Sequence, residues 1–159
     1  MLVRLRHHAP TSILDVGCGA GTYADLVRGA GMTAQLIGIE VWEPYVKRFA
    51  LTARYDHLIV ADVRELDPLP PADVVILGDV LEHMTDRDAV RVWTRARRAA
   101  RKAVFLSVPI VHYPQGAEEG NPFEEHIVDN YTHDRVLATF PGITTHWVGT
   151  IVGVYEAAR

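Results

Sequence analysis

The sequence predicts an α/β fold, a mostly parallel sheet with helices on both faces, and three observations carry that expectation. Short apolar runs alternate with segments of helical periodicity along most of the chain. These runs end at Gly, Pro and Asp, and no Gly/Ser-rich or Pro-rich linker divides them. The 159 residues, 48% hydrophobic and 23% charged, suit one globular domain over residues 1–159 and exclude a second.

Taken in order, Ser12–Val16 is a short apolar run closed by glycines and reads as a buried strand. Residues 23–30 place apolar side chains at helical spacing and stop at Gly29 and Gly31. Ala34–Ile39 is the second strand. Pro44–Arg54 is a helix, with Pro44 near the first turn, where a missing N–H costs nothing. His57–Val60 and Asp73–Leu77 are the third and fourth strands, parted by the turn-rich Asp67-Pro68-Leu69-Pro70-Pro71. Thr85–Arg101 is a long helix opened by the capping pattern of Thr85 and Asp88. Ala103–Val108 is the fifth strand. After the polar segment 109–130 come a helix over Asp134–Phe140 and strands at Thr144–Val148 and Ile151–Glu156, an antiparallel pair turning at Gly149-Thr150.

Composition narrows the function. One cysteine, Cys18, excludes a disulfide framework and a cysteine-only zinc cage, and its place in the glycine turn suits a small buried thiol. No apolar run approaches the roughly 20 residues of a membrane span. Residues 1–8 are too short and too basic for a signal peptide, so the expected location is the cytoplasm, with His7 and His8 at an exposed terminus. The net charge of −4 argues against nucleic acid as a partner. The basic face Arg91, Arg95, Arg98 and Lys102 accordingly reads as solvated, with Val92, Trp93, Ala96 and Ala99 toward the core.

Three acidic strand ends mark a candidate site. Gly17-Cys18-Gly19-Ala20-Gly21 follows the first strand and precedes a helix, where glycines let the backbone turn and a ligand approach. Its spacing departs from the dinucleotide pattern GxGxxG, and Asp15 before it would repel a pyrophosphate but welcome a cationic amino-acid ligand. Glu40, followed by Val41, ends the second strand and can accept both hydroxyls of a ribose. Asp62 ends the third, where it can accept from an exocyclic amine while Val63 packs on the base. Any one of these reads as a surface carboxylate. Three on one sheet edge do not.

These segments, with Asp73-Val74-Val75-Ile76-Leu77-Gly78-Asp79-Val80-Leu81-Glu82-His83-Met84, resemble in order the motifs of the class I S-adenosylmethionine-dependent methyltransferases, from about residue 12 to 108. The resemblance implies a Rossmann-like three-layer sandwich, a seven-stranded mostly parallel sheet with an antiparallel last strand. It implies that Asp15, Gly17, Cys18, Gly19 and Gly21 hold the methionine part of S-adenosylmethionine, Glu40 and Val41 the ribose, and Asp62 and Val63 the adenine, with Asp79 and Val80 beside the sulfonium. Most members carry extra helices or inserted substrate elements. Here little precedes the first strand, so acceptor contacts are expected from 109–130 or from another subunit, a homodimer mate included.

Asp79, Glu82 and His83 invite two readings. His83, with Asp79, can act as the catalytic base, since imidazole titrates near neutrality. A similar acid-x-x-Glu-His-Met pattern occurs in small-RNA terminal 2′-O-methyltransferases, where those side chains and a later histidine hold a divalent ion; His126 falls at that later position. The preferred reading is metal-free, with Glu82 and His83 ordering the loop or touching substrate; the alternative is a metal on Asp79, Glu82, His83 and His126. Segment 109–130 is too long for a connector and reads as a substrate wall or lid, with His112, Tyr113, Glu125 and His126 facing the pocket and Glu118 and Glu119 at the tip. The expected activity is methyl transfer to an oxygen or nitrogen of a small molecule. The competing reading is an S-adenosyl-binding module or partner subunit without turnover.

Overall fold

In a computed structural model of residues 1–159 each apolar run is a strand. They are β1 (Ser12–Val16), β2 (Gln35–Glu40), β3 (His57–Val60), β4 (Ala72–Gly78), β5 (Ala100–Pro109), β6 (Thr145–Val148) and β7 (Val152–Ala158). One sheet in the order β3-β2-β1-β4-β5-β7-β6 holds all seven. Strands β1 to β5 are parallel, and β7 runs antiparallel to both β5 and β6. The chain reverses its winding between β1 and β4, and a cleft opens at the carboxyl ends of strands around such a reversal.

Six helices accompany the sheet: α1 (Leu2–His8), α2 (Thr22–Gly29), α3 (Glu43–Arg48), α4 (Leu51–Arg54), α5 (Asp86–Ala99) and α6 (His133–Thr139). Alternate residues of β1 feed two cores, Leu14 and Val16 toward Trp93 of α5 and Val136 of α6, Ile13 toward Leu5 of α1 and Val27 of α2. Thr85 caps α5, its hydroxyl accepting from the Asp88 N–H at 3.3 Å.

Four sequence expectations need correction. Residues 2–8 form a helix instead of a free terminus, because Leu5 is buried and Arg4 and His8 both grip Glu156 of β7. Arg4 Nε lies 2.8 Å and His8 Nε2 2.7 Å from that fully buried carboxylate, which they hold below its ordinary range. The helix expected over 44–54 is two, broken where Ala50 turns left-handed at φ 49°. Helix α5 stops at Ala99, so Lys102 belongs to β5. Arg95 leaves the solvated face: its guanidinium donates to the carbonyls of Arg64 and Leu66.

Segment 109–130 folds back on itself as a strap. Tyr113 N donates to Asp129 O, His126 N to Gln115 O, and Glu118 bridges Asn121, so its arms meet in nested order. The returning arm docks on the turn Leu81–His83, where Ile127 N and Val128 N both donate to Glu82 O at 2.9 Å. The tip lies against α3, with Glu119 ion-paired to Arg48 and Phe123 beside Trp42.

Candidate active site

A cavity of about 360 Å³ lies at the carboxyl edge over β1, β2, β3 and β4. Its floor is the turn after β1. Gly17 adopts φ +64°, and a Cβ there would sit 2.5 Å from Val80 Cγ2, so only glycine fits the turn under the β4 loop. Glu40, only 4% exposed, ties this turn to the start of α3. Its Oε2 accepts from Gly19 N and its Oε1 from Trp42 N, each at 2.8 Å, while burial raises its pKa.

Of the residues expected at the ligand, Gly17, Cys18, Gly19, Glu40, Val41, Asp62, Val63, Asp79 and Val80 line the cavity. Gly21 does not; it is the residue before α2. Asp15 does not either. The β-strand alternation turns its side chain under the sheet, where Tyr55 donates to it at 2.5 Å and burial raises its pKa to about 7. Asp62 faces the cavity already paired. Arg64 Nε lies 2.9 Å from both its oxygens, and although burial pushes upward, these bonds keep Asp62 below its ordinary range.

Asp79 projects from β4 in a left-handed conformation, φ 53°, which costs a non-glycine residue about 1 kcal/mol. A chain of bonds offsets that cost. Asp79 N donates to Ser107 O at 2.9 Å, and Ser107 Oγ donates back to Asp79 Oδ2 at 3.2 Å. With the Ser107 proton so committed, the Tyr23 hydroxyl, 3.0 Å away, must be the donor to Ser107. The Tyr23 ring lies on Gly78, where a Cβ would come within 2.0 Å of it. Burial raises the Asp79 pKa, and the Ser107 bond opposes it.

Beside Asp79 the structure gathers Glu82, His83 and His126, one ligand atom of each within 4.8 Å of the others. Glu82 is 1% exposed, and neither carboxylate oxygen has a hydrogen-bond partner. Burial and the Asp79 charge push its pKa well above the ordinary value. His83 Nδ1 lies 3.1 Å from Glu125 O and His126 Nδ1 2.6 Å from Tyr113 O. A carbonyl only accepts, so both rings donate from Nδ1, which leaves Nε2 as the nitrogen that can serve as a ligand. Burial lowers the His83 pKa, which keeps that lone pair available. A buried carboxylate without a donor, flanked by two such imidazoles, fits a divalent cation of the zinc or manganese kind. Asp79, turned to Ser107, is outside this group.

The strap meets the cavity differently from expectation. His112 is largely exposed beside Asp129, Tyr113 and Glu125 are exposed, and His126 packs against His83 without lining the cavity. The lining comes instead from Asn121, Phe123 and Glu124, because nested pairing swings residues 121–124 toward α3. Sequence reading also missed Tyr23 and Arg64. The Asp62-x-Arg64 spacing was a usable signal for an ion pair, whereas nothing local signals that Tyr23 meets Gly78.

The family model described as a methyltransferase domain matches residues 14–108, more than half of the sequence. The chain belongs to that family. This methyltransferase domain is 36% identical over 78 residues to the ubiquinone biosynthesis O-methyltransferase of Rhodopseudomonas palustris strain TIE-1, covering 46% of this chain and 30% of that protein. To the trans-aconitate 2-methyltransferase of Klebsiella pneumoniae it is 25% identical over 109 residues, 69% of this chain and 43% of that one. It thus spans less than half the length of either relative. The magnesium protoporphyrin IX methyltransferase of Synechocystis, solved with S-adenosylhomocysteine bound, shares the fold at a TM-score of 0.71 and 19% identity, over 99% of this chain and 78% of that one. No helix of the methyltransferase domain is long and apolar enough to cross a membrane.

Proposed function

We propose that this chain binds S-adenosylmethionine and transfers its methyl group to an oxygen or nitrogen of a small-molecule acceptor in the cytoplasm. One observation carries the reading: Glu40, Asp62 and Asp79, from three different strand ends, converge with the Gly17–Gly19 turn on one cavity. The ligand supplies a methyl carbon made electrophilic by a sulfonium. Glu40 suits the ribose hydroxyls, Asp62 with Arg64 the base, and Asp79 the methionine end. His83, neutral and with Nε2 free, is the group placed to take the acceptor's proton as its lone pair bonds the methyl carbon and the C–S electrons stay on sulfur. Alignment and exclusion of water supply the rest. Calorimetry with S-adenosylhomocysteine tests binding, and radiolabelled methyl transfer to a panel of phenols, alcohols and amines tests turnover. Tight NAD binding without affinity for either S-adenosyl ligand overturns the proposal.

The orphaned Glu82 carboxylate favours a second reading, in which a divalent cation is held by Glu82, His83 and His126 and His83 Nε2 is then a ligand and not the base. Such an ion would supply positive charge beside the acceptor. Manganese or zinc should then raise the melting temperature of chelator-treated protein, and His126→Ala should abolish the rise. An unchanged melting temperature returns Glu82 and His83 to loop-ordering and substrate roles.

A further inference from the structure

The strap crosses the cleft from one side of the sheet to the other. It leaves β5 at Pro109, and its returning arm is tied to the turn after β4 by the two bonds to Glu82 O. Its tip reaches α3, which follows β2, beyond β4 and β1 in the sheet order. Two contacts hold it there. Glu119 pairs with Arg48, and the Phe123 ring lies 6.1 Å from that of Trp42, centroid to centroid. Trp42 fixes the place, because its N–H donates to the Glu40 carboxylate at 2.8 Å. Phe123 therefore lines the cavity from the side where Glu40 stands. Its backbone is set locally: the side chain of buried Asn121 accepts from Phe123 N at 2.9 Å, and Gln115 Nε2 donates to Glu124 O at 2.8 Å. The ring itself is half-buried and belongs to neither core, so packing of the fold does not account for it.

We propose that Phe123 is a nucleoside-binding residue, its ring laid by the strap against the adenosine of the S-adenosyl ligand. The inference rests on the S-adenosyl reading above and adds to it a contact that comes from outside the strand ends. Glu40 and Asp62 offer hydrogen-bond acceptors to the edges of the sugar and base, and they leave a flat face to be covered. An aromatic ring covers such a face without needing a polar partner. A ligand so held leaves when the tip parts from α3.

The test is calorimetric titration of the full chain and its Phe123→Ala, Phe123→Leu and Phe123→Tyr variants. The probes are S-adenosylhomocysteine and methylthioadenosine, which keeps the nucleoside and lacks the amino-acid end. Phe123→Ala should bind both about tenfold more weakly, within the range for an aromatic ring stacked on a base. Phe123→Leu keeps apolar volume against Trp42 but has no flat face; it should melt with the wild type and still bind both probes about fivefold more weakly. Phe123→Tyr should stay within about twofold of wild type on both. Wild-type affinity in the Leu variant overturns the proposal, since the residue then only props the strap. A loss confined to S-adenosylhomocysteine also overturns it, since the ring would then serve the amino-acid end. Wild-type protein that binds neither probe overturns the S-adenosyl reading itself, a result distinct from binding that ignores Phe123.

Discussion

The two halves of the cavity are built by different means. On the side proposed for the nucleoside, Gly17, Glu40 and Asp62 each lie at or within two residues of the end of a parallel strand, so the strand itself aims them. On the wall that the strap supplies, Phe123 and Glu124 stand more than ten residues beyond β5 and are aimed by pairings along the strap and by docking on α3. A side chain close in sequence to its support has its place fixed by local rules. One held by distant partners is fixed by the whole fold.

The largest expected effect tests the strand-aimed half. Gly17→Val should cost about 2–4 kcal/mol of stability and reduce S-adenosylhomocysteine affinity more than about hundredfold, since a left-handed β-branched residue would collide with Val80. Urea unfolding and calorimetry measure both, and affinity within threefold of wild type would show that the turn does not position the ligand. Glu40→Ala should weaken the same complex by about 1–3 kcal/mol, the loss of charged hydrogen bonds to the ligand and to the turn. A loss no greater than that of Asp62→Ala would show that the ribose end has no special grip.

Asp15 sharpens the contrast, for it lies on a strand yet serves packing. Its folded pKa is raised from 3.8 to about 7, so its contribution is intact below 3.8 and is lost as pH rises through about 7. Asp15→Asn should match wild type in urea near pH 3.5 and exceed it by about 2–4 kcal/mol near pH 8.5. A variant equally or less stable at the higher pH would mean that the carboxylate has a partner when charged. The smallest effect is expected at His112, exposed on the strap: His112→Ala should shift stability by less than about 0.5 kcal/mol and leave turnover unchanged. A marked fall in kcat would restore it to the acceptor site.

Most of the architecture was legible because strands β1, β4 and β5 are apolar runs buried on both faces and bounded by turns. Helix α1 was not, since nothing within residues 1–8 announces a partner for Arg4 and His8 that lies about 150 residues away in Glu156. The same distance effect hid residues 121–124. Composition marked 109–130 as a wall, but histidine and tyrosine drew attention to 112, 113 and 126 while the nested pairing carried Asn121, Phe123 and Glu124 inward. The left-handed Asp79 also has no local signature. Its conformation depends on Ser107 and Tyr23 arriving from β5 and α2.

The contact between Gly17 and Val80 has a bearing on redesign. Val80 Cγ2 already fills the volume that any side chain at Gly17 would require, so the two positions share one allotment of space. Trimming Val80 to alanine would open the mouth to a bulkier acceptor and at the same stroke unload the turn beneath it. Enlarging it to isoleucine would tighten both. If the proposed reading holds, acceptor scope and cofactor retention are geared together through a single methyl group, and a library that varies one should read out the other.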